Sequence, residues 1–294
     1  MKLLLTGHNG QVGFDLRRAL ALLGEVIAIN SEDCDLADEA AIRRVVRDLR
    51  PDVIVNPAAY TAVDKAESEQ ALARAINARA PGVLAEEAKT LGALLVHYST
   101  DYVFDGTKLG SYQEADTPNP SSVYGATKLA GEGAIVAAGC RHLILRTSWV
   151  VGAHGGNFAK TMLRLAGERD TLSVVADQFG APTSAALLAD LTAHLVREAQ
   201  RTSADFPYGL YHAVARGETN WHGYACHVIE RARAAGKAIR VAPDAIKAIT
   251  TSDYPTPAKR PANSRLDTSL LRETFGLHLP DWKIGVDHIL DQIL

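Results

Sequence analysis

The chain has 294 residues, 47% of them apolar and 22% charged, with a net charge of −3. That is the balance of an ordinary globular protein, and no run of lysine or arginine suits nucleic acid or an anionic membrane. Cys34, Cys140 and Cys226 are too far apart for a metal spacing or a disulfide framework, and the apolar start ends at Thr6 and Gly7, far short of a signal peptide or a membrane span. The expectation is a cytoplasmic protein of a reducing compartment, with no nucleic-acid or membrane partner.

In chain order, residues 2–6, 26–30, 53–56, 94–99 and 142–146 form short, nearly unbroken apolar runs. Such runs predict strands buried on both faces, as in a parallel sheet. Residues 11–23, 39–49, 66–91 and 122–138 lie between them and carry the helical period. Ser121 or Ser122, after Pro118 and Pro120, is placed to cap the last of these helices. The alternation predicts an α/β fold with a Rossmann-like, doubly wound parallel sheet and right-handed crossovers.

Beyond residue 147 the pattern loosens. Helices are predicted at 157–166, 184–199, 220–235, 268–275 and 285–293, a strand at 209–213, and a proline-rich turn region at 252–263. Residues 1–147 therefore read as a dinucleotide-binding domain, completed by about 184–214. Residues 148–183 and 215–294 read as a smaller C-terminal α/β substrate lobe. Ligands of open α/β sheets bind over the carboxyl ends of the strands, which is where these two parts would meet.

The first strand runs into Thr6-Gly7-His8-Asn9-Gly10-Gln11-Val12-Gly13. Gly7 permits the sharp turn, Gly10 lets backbone approach a pyrophosphate, and Gly13 allows tight helix–sheet packing, with the helix N-terminus facing the anion. Strand two ends at Asn30, where an acid would favour NAD by binding the ribose 2′-hydroxyl. Asparagine does not repel a 2′-phosphate, so the choice between NADPH and NADH stays open, with a lean towards accepting NADPH. Asp35 and Leu36 are candidates for the adenine.

Further on stands Tyr124-Gly125-Ala126-Thr127-Lys128, whose tyrosine and lysine share a helix face at a spacing of four. A phenol in water loses its proton at a pKa of ~10, and an ammonium nearby is expected to lower that value and ease proton transfer near neutrality. Strand four ends in Ser99-Thr100-Asp101-Tyr102, which sets the Thr100 hydroxyl across the cleft from that helix.

Thr100, Tyr124, Lys128 and the glycine turn together resemble the extended, nucleotide-sugar branch of the short-chain dehydrogenase/reductase superfamily. Longer strings resemble its dTDP-4-dehydrorhamnose reductase family: residues 56–67, 99–106, 146–150, 157–162, 177–183 and 254–257, with Arg260-Pro261 and 263–266. The resemblance covers nearly the whole chain. It implies the final reductive step of dTDP-rhamnose biosynthesis, which supplies an activated sugar for glycans such as the lipopolysaccharide O-antigen. In that step NADPH or NADH reduces the C4 ketone of dTDP-4-dehydro-L-rhamnose.

By the same resemblance Tyr124 is the proton donor, Lys128 holds the nicotinamide ribose, and Thr100 polarises the ketone oxygen. Cofactor positions carried over are Gly10, Gln11, Val12, Asn30, Asp35, Leu36, Ala59, Tyr60, Thr61, Tyr98, Tyr124 and Lys128, beside Gly7 and Gly13. Substrate positions are Thr100, Asp101 and Trp149, with Arg260 a candidate for the diphosphate. Some family members hold Mg2+ through acids near a dimer contact. Here those positions read Asp15 and Ala186, too few oxygens for a hard cation, so no metal is assigned.

Three rival readings share the fold. A 4,6-dehydratase resembles Thr-Asp-Glu at the end of strand four, where this chain has Tyr102. A 4-epimerase would retain its cofactor. A regulatory subunit of the methionine adenosyltransferase β type would bind a partner enzyme instead of turning over substrate.

Overall fold

The first half of the chain gives β1 (Lys2–Leu5), α1 (Gln11–Leu20), β2 (Glu25–Ala28), α2 (Glu39–Leu49), β3 (Val53–Asn56), α3 (Val63–Ala66), α4 (Gln70–Arg74), α5 (Ala80–Leu91), β4 (Leu94–Thr100), α6 (Val123–Ala138) and β5 (Arg141–Thr147). The second half gives β6 (Val150–Val151), α7 (Phe158–Glu168), β7 (Leu172–Val175), β8 (Phe179–Gly180), β9 (Thr183–Ser184), α8 (Ala185–Arg201), β10 (Gly209–His212), β11 (Thr219–Asn220), α9 (Trp221–Ala234), β12 (Ile246–Ile249), α10 (Ser269–Phe275) and α11 (Trp282–Ile293). These elements come from a computed structural model that describes residues 1–202 and 205–294.

Six strands form one parallel sheet in the order β10-β5-β4-β3-β1-β2. Its strands alternate between two apolar layers. Leu3, Leu5, Val53, Val55, Val96 and Leu145 pack with Leu16 and Leu20 of α1 and Leu188 and Leu195 of α8. Leu4, Ile54, Leu95 and Ile144 face the other way, onto Ile42 and Val46 of α2 and Val83 and Leu84 of α5. Burial on both sides is why these strands read as continuous apolar runs. Each fully buried leucine or isoleucine contributes about 1.5–3 kcal/mol over its exposed state.

A second core gathers Met162, Tyr224, Val228, Trp282, Val286 and Ile289 from α7, α9 and α11. It carries the two-stranded parallel pair β7–β12 and the short pairs β6–β9 and β8–β11. Strands of two to four residues with mixed burial leave no clear period, and the sequence reading does not contain them.

One helix differs from its expected form. The single helix read over 66–91 starts only at Gln70, since α3 ends at Ala66, and its two pieces α4 and α5 are joined by a π-helical turn at Ala75–Arg79. Asn77 in that turn is 1% exposed. Its Oδ1 accepts the Tyr60 N–H at 2.8 Å, and its Nδ2 donates to the Tyr60 carbonyl at 3.0 Å and to Thr127 Oγ1 at 3.3 Å. The inserted residue aims this amide at the loop after β3, a use typical of π-bulges.

Candidate active site

A cavity of about 510 Å³ crosses the carboxyl ends of the central strands, between β1 and β3 where the crossovers change direction. Gly7, Gly10, Gln11, Val12 and Gly13 line it where β1 ends. Gly7 takes a left-handed backbone at φ 57°. The N-terminus of α1 has Gly10 as its cap and no side chain satisfying its amides, so the helix presents bare N–H groups there. At Gly13 a Cβ would stand 2.1 Å from the Gly7 carbonyl oxygen, so only glycine lets helix and turn close this tightly. This glycine cradle and its free amides fit a dinucleotide pyrophosphate.

Asn30, Ser31, Asp35 and Leu36 line the cavity beside that turn, after the neighbouring strand β2. The Asn30 amide oxygen accepts the Glu32 N–H at 2.7 Å and the Asp33 N–H at 3.3 Å, while Asp33 Oδ2 accepts the Asn30 N–H at 2.9 Å. Asn30 therefore caps its own turn. Ala59 and Thr61 complete the wall after β3, with Pro57, Ala58 and Ile76.

Tyr98, Tyr124 and Lys128 also line the cavity. Ser122 caps α6 by accepting the Gly125 N–H at 3.1 Å. A Cβ at Gly125 would lie 2.1 Å from the Tyr102 carbonyl oxygen, so α6 presses directly on the turn after β4. That approach sets the Thr100 hydroxyl close enough to Tyr124 to favour its ionised form. Thr100 Oγ1 donates to Asp101 Oδ1 at 3.1 Å.

The electrostatics differ from the expectation that Lys128 lowers the Tyr124 pKa. Burial pushes Tyr124 up to about 12, with the Asp101 carboxylate adding to the rise and the Thr100 contact opposing it. Burial also lowers Lys128 to about 8, with the Glu132 carboxylate opposing. Lys128 is 2% exposed, and its Nζ sits 2.5 Å from the Tyr98 carbonyl oxygen and 3.2 Å from His97 Nε2. Desolvation outweighs pairing at both positions. Burial likewise raises Asp101 to about 6, opposed by the Ser264 and Thr100 hydroxyls.

Five of the sequence-chosen residues stand outside the cavity wall. Thr100 and Asp101 lie just behind Tyr124, buried at 5% and 3% exposure. The Tyr60 hydroxyl turns outward to Glu69 Oε2 at 2.6 Å. Trp149 takes φ 48°, uncommon for a residue with a side chain, and its indole stacks on Trp221 at 3.7 Å in the second lobe. Arg260 pairs with Asp64 at 2.7 Å, leaving Nη1 buried without a partner among the described residues.

Two residues with assigned roles serve the wall differently than expected. The Tyr98 phenol points away, 2.5 Å from Thr192 Oγ1 on α8, so its backbone carbonyl is what meets Lys128. The Gln11 side chain ties the lobes together, accepting the Gly152 N–H at 2.8 Å and Asn157 Nδ2 at 3.0 Å. Thr147, within the family-like string 146–150 but given no role there, lines the cavity with a buried hydroxyl that has no partner among the described residues. Its signal was available: it ends strand five, at the sheet edge where ligands bind.

No group of three or more histidine, cysteine or acidic side chains among the described residues is placed to hold a metal ion. Asp15 does have a second acid near it, Asp190, which the sequence reading did not connect to it. Asp190 is paired with Arg18 at 2.9 Å, and the other charges felt by Asp15 are His288 and His154.

A family model described as the RmlD substrate binding domain matches residues 1–294. The dTDP-4-dehydrorhamnose reductase of Salmonella typhimurium is 52% identical over 100% of this chain and 98% of its own. That of Burkholderia thailandensis is 50% identical over 97% of each chain. The crystal structure of the Bacillus anthracis dTDP-4-dehydrorhamnose reductase in complex with NADP superposes with a TM-score of 0.89, at 34% identity over 99% of each chain.

Proposed function

The chain belongs to the dTDP-4-dehydrorhamnose reductase family, and we propose that it reduces the C4 ketone of dTDP-4-dehydro-L-rhamnose to dTDP-L-rhamnose with NAD(P)H. The observation that carries this reading is the meeting of Thr100, Tyr124 and Lys128 beside a glycine-lined cavity at the switch point of the sheet. When bound, the reduced nicotinamide supplies the hydride.

The rest falls to side chains of this protein. The amides of the turn from Gly7 to Gly13 and the start of α1 hold the pyrophosphate. Tyr124, its proton secured by burial, donates it to the ketone oxygen as negative charge develops there. The Thr100 hydroxyl, whose one proton rests on Asp101 here, is assigned to the same ketone oxygen, to which it can donate on turning from Asp101. Lys128 supplies a buried cation in the same cavity wall, held on the Tyr98 carbonyl, and is the group we assign to the nicotinamide ribose. Asp101 and Arg260 are assigned to the substrate, and Trp149, with Trp221 behind it, to a stacking wall of the substrate lobe.

Tyr102 argues against dehydration chemistry. It stands edge-on to Tyr124 with ring centres 5.4 Å apart, and burial raises its pKa above that of a free phenol, so it is no base at neutral pH. Residues 1–147 with about 184–214 are proposed as the cofactor half and the remainder as the substrate half. We place the enzyme in the cytoplasm as a homodimer, which fractionation and sedimentation would test. The decisive assay mixes purified protein with enzymatically prepared dTDP-4-dehydro-L-rhamnose and follows nicotinamide absorbance with NADPH and NADH in turn. Stoichiometric oxidation with formation of dTDP-L-rhamnose is expected. Failure to oxidise either cofactor would overturn the assignment.

A further inference from the structure

A buried polar chain runs from the glycine turn to Lys128. Thr6, the last residue before Gly7, has its Oγ1 2.6 Å from Asn56 Oδ1 at the end of β3. The Asn56 amide nitrogen is 3.0 Å from His97 Nδ1 on β4, and His97 Nε2 is 3.2 Å from Lys128 Nζ. Asn56 is 1% exposed and His97 is fully buried. An imidazole in the middle of an apolar strand needs both nitrogens satisfied. Here one goes to an amide and the other to the buried lysine.

We propose that His97 is a positioning residue for Lys128: its neutral ring accepts a hydrogen bond from the ammonium at Nε2 and, with the Tyr98 carbonyl, fixes where that cation points. This rests on the functional reading above. An ammonium has three donors and no lone pair, so the contact requires an unprotonated Nε2. The proton of the neutral ring then sits on Nδ1 and must meet an acceptor. Turning the Asn56 amide over supplies its oxygen to Nδ1–H and its NH2 to the Thr6 hydroxyl, without moving any other heavy atom. All three contacts survive, and the charge on Lys128 selects which way the amide lies.

The surroundings agree. Burial and the Lys128 charge both hold His97 well below the usual imidazole range, so the ring stays neutral. The other charged group acting on Lys128 is Glu132 on α6, itself paired with Arg146 of β5 at 2.7 Å, and Tyr124 lines the same cavity. Removing the Nε2 acceptor leaves the ammonium with the Tyr98 carbonyl and a more distant carboxylate. That disfavours the charged form and pulls the lysine pKa down.

The first test uses unmodified protein without cofactor. In 15N spectra of the imidazoles, the His97 ring, identified by its loss in His97→Asn, is expected as the Nδ1–H tautomer at pH 7. A ring protonated at Nε2 would overturn the proposal. The second test follows the Lys128 titration by 13C labelling of lysine side chains. An asparagine at 97 reaches Asn56 and stops short of Lys128, whereas a glutamine reaches Lys128. His97→Asn should lower the Lys128 titration, and the alkaline limb of kcat/KM with it, by about one pH unit, the scale of one hydrogen bond to a charged group. His97→Gln should restore both. Equal titrations in parent, asparagine and glutamine variants would defeat the inference while wild-type turnover left the functional reading standing.

Discussion

Gly13→Ala tests whether the cavity depends on the closeness of turn and helix. A Cβ built there stands 2.1 Å from the Gly7 carbonyl oxygen, 2.8 Å from its carbon and 2.9 Å from His8 Cα, all backbone atoms. Non-bonded carbon contacts settle at about 3.5–4.0 Å, so turn and helix must part by about 1 Å. The turn has nowhere to retreat. The Gly7 carbonyl accepts the Gly10 N–H at 3.0 Å, and the far side of Gly7 already meets Ala58, whose Cβ would be 2.8 Å from a Cβ on Gly7. Overpacking of this kind costs about 1–3 kcal/mol, and at this chain length each kcal/mol lowers Tm by about 2–4 °C. The variant should melt about 2–12 °C below the parent and bind NADPH more weakly. Circular-dichroism melts and titration calorimetry measure both. Gly133→Ala is the control: it lies on exposed α6 surface with nothing within 4 Å, so alanine should stabilise by about 0.5–1 kcal/mol. Parental melting and affinity in Gly13→Ala would refute the close approach as the reason for glycine there.

Tyr124→Phe should lower kcat by about 10²–10⁴ while changing cofactor affinity little, because it removes only the proton donor; near-normal turnover would show that another group is the acid. Thr100→Val should reduce kcat by about 10²-fold with an intact fold, and an unchanged kcat would remove it from the oxyanion side of the site. Since Lys128 has a pKa lowered to about 8 in the free protein, its positive charge is present below that pH and lost above it, so kcat/KM should fall as pH rises through about 8. The same depression means the unfolded chain holds the lysine proton over pH 8–10.5 when the folded protein does not, so the Lys128 contribution to stability rises with pH across that window. A flat profile to pH 10 would contradict it. Glu132→Gln strands the Arg146 guanidinium, 3% exposed at 2.7 Å from Glu132, and should cost about 3–5 kcal/mol in urea unfolding.

The sheet was legible because its strands are buried on both faces, which writes them as apolar runs, and the helices because α1, α2, α5 and α8 each cover one such face. The turn at Ala75–Arg79 was not legible: nothing in Ala-Ile-Asn-Ala-Arg breaks helical periodicity, and the extra residue is held by Asn77 reaching Tyr60 and Thr127. At the site, residue type and spacing named Tyr124, Lys128 and the glycines, since each has one chemical use there. Side-chain direction was another matter. Nothing local told that the Tyr98 phenol would bond Thr192 on α8, or that Gln11 would bridge to Asn157. Both partners lie far away in sequence.

Helical spacing alone treats Tyr124 and Lys128 as a pair in water, where an ammonium eases the loss of a phenolic proton. In the folded protein a single cause, exclusion of water, moves both groups toward their neutral forms, Tyr124 up to about 12 and Lys128 down to about 8. The acid therefore keeps its proton at every physiological pH. Proton transfer then creates a phenolate in a low-dielectric pocket, where the attraction of a cation is several times stronger than in water. Lys128 matters most at that instant rather than in the resting enzyme. Its remaining charge near neutrality depends on the carbonyl, imidazole and carboxylate that surround it, so the helix spacing that first drew attention to this pair works only through contacts from β4 and from Glu132.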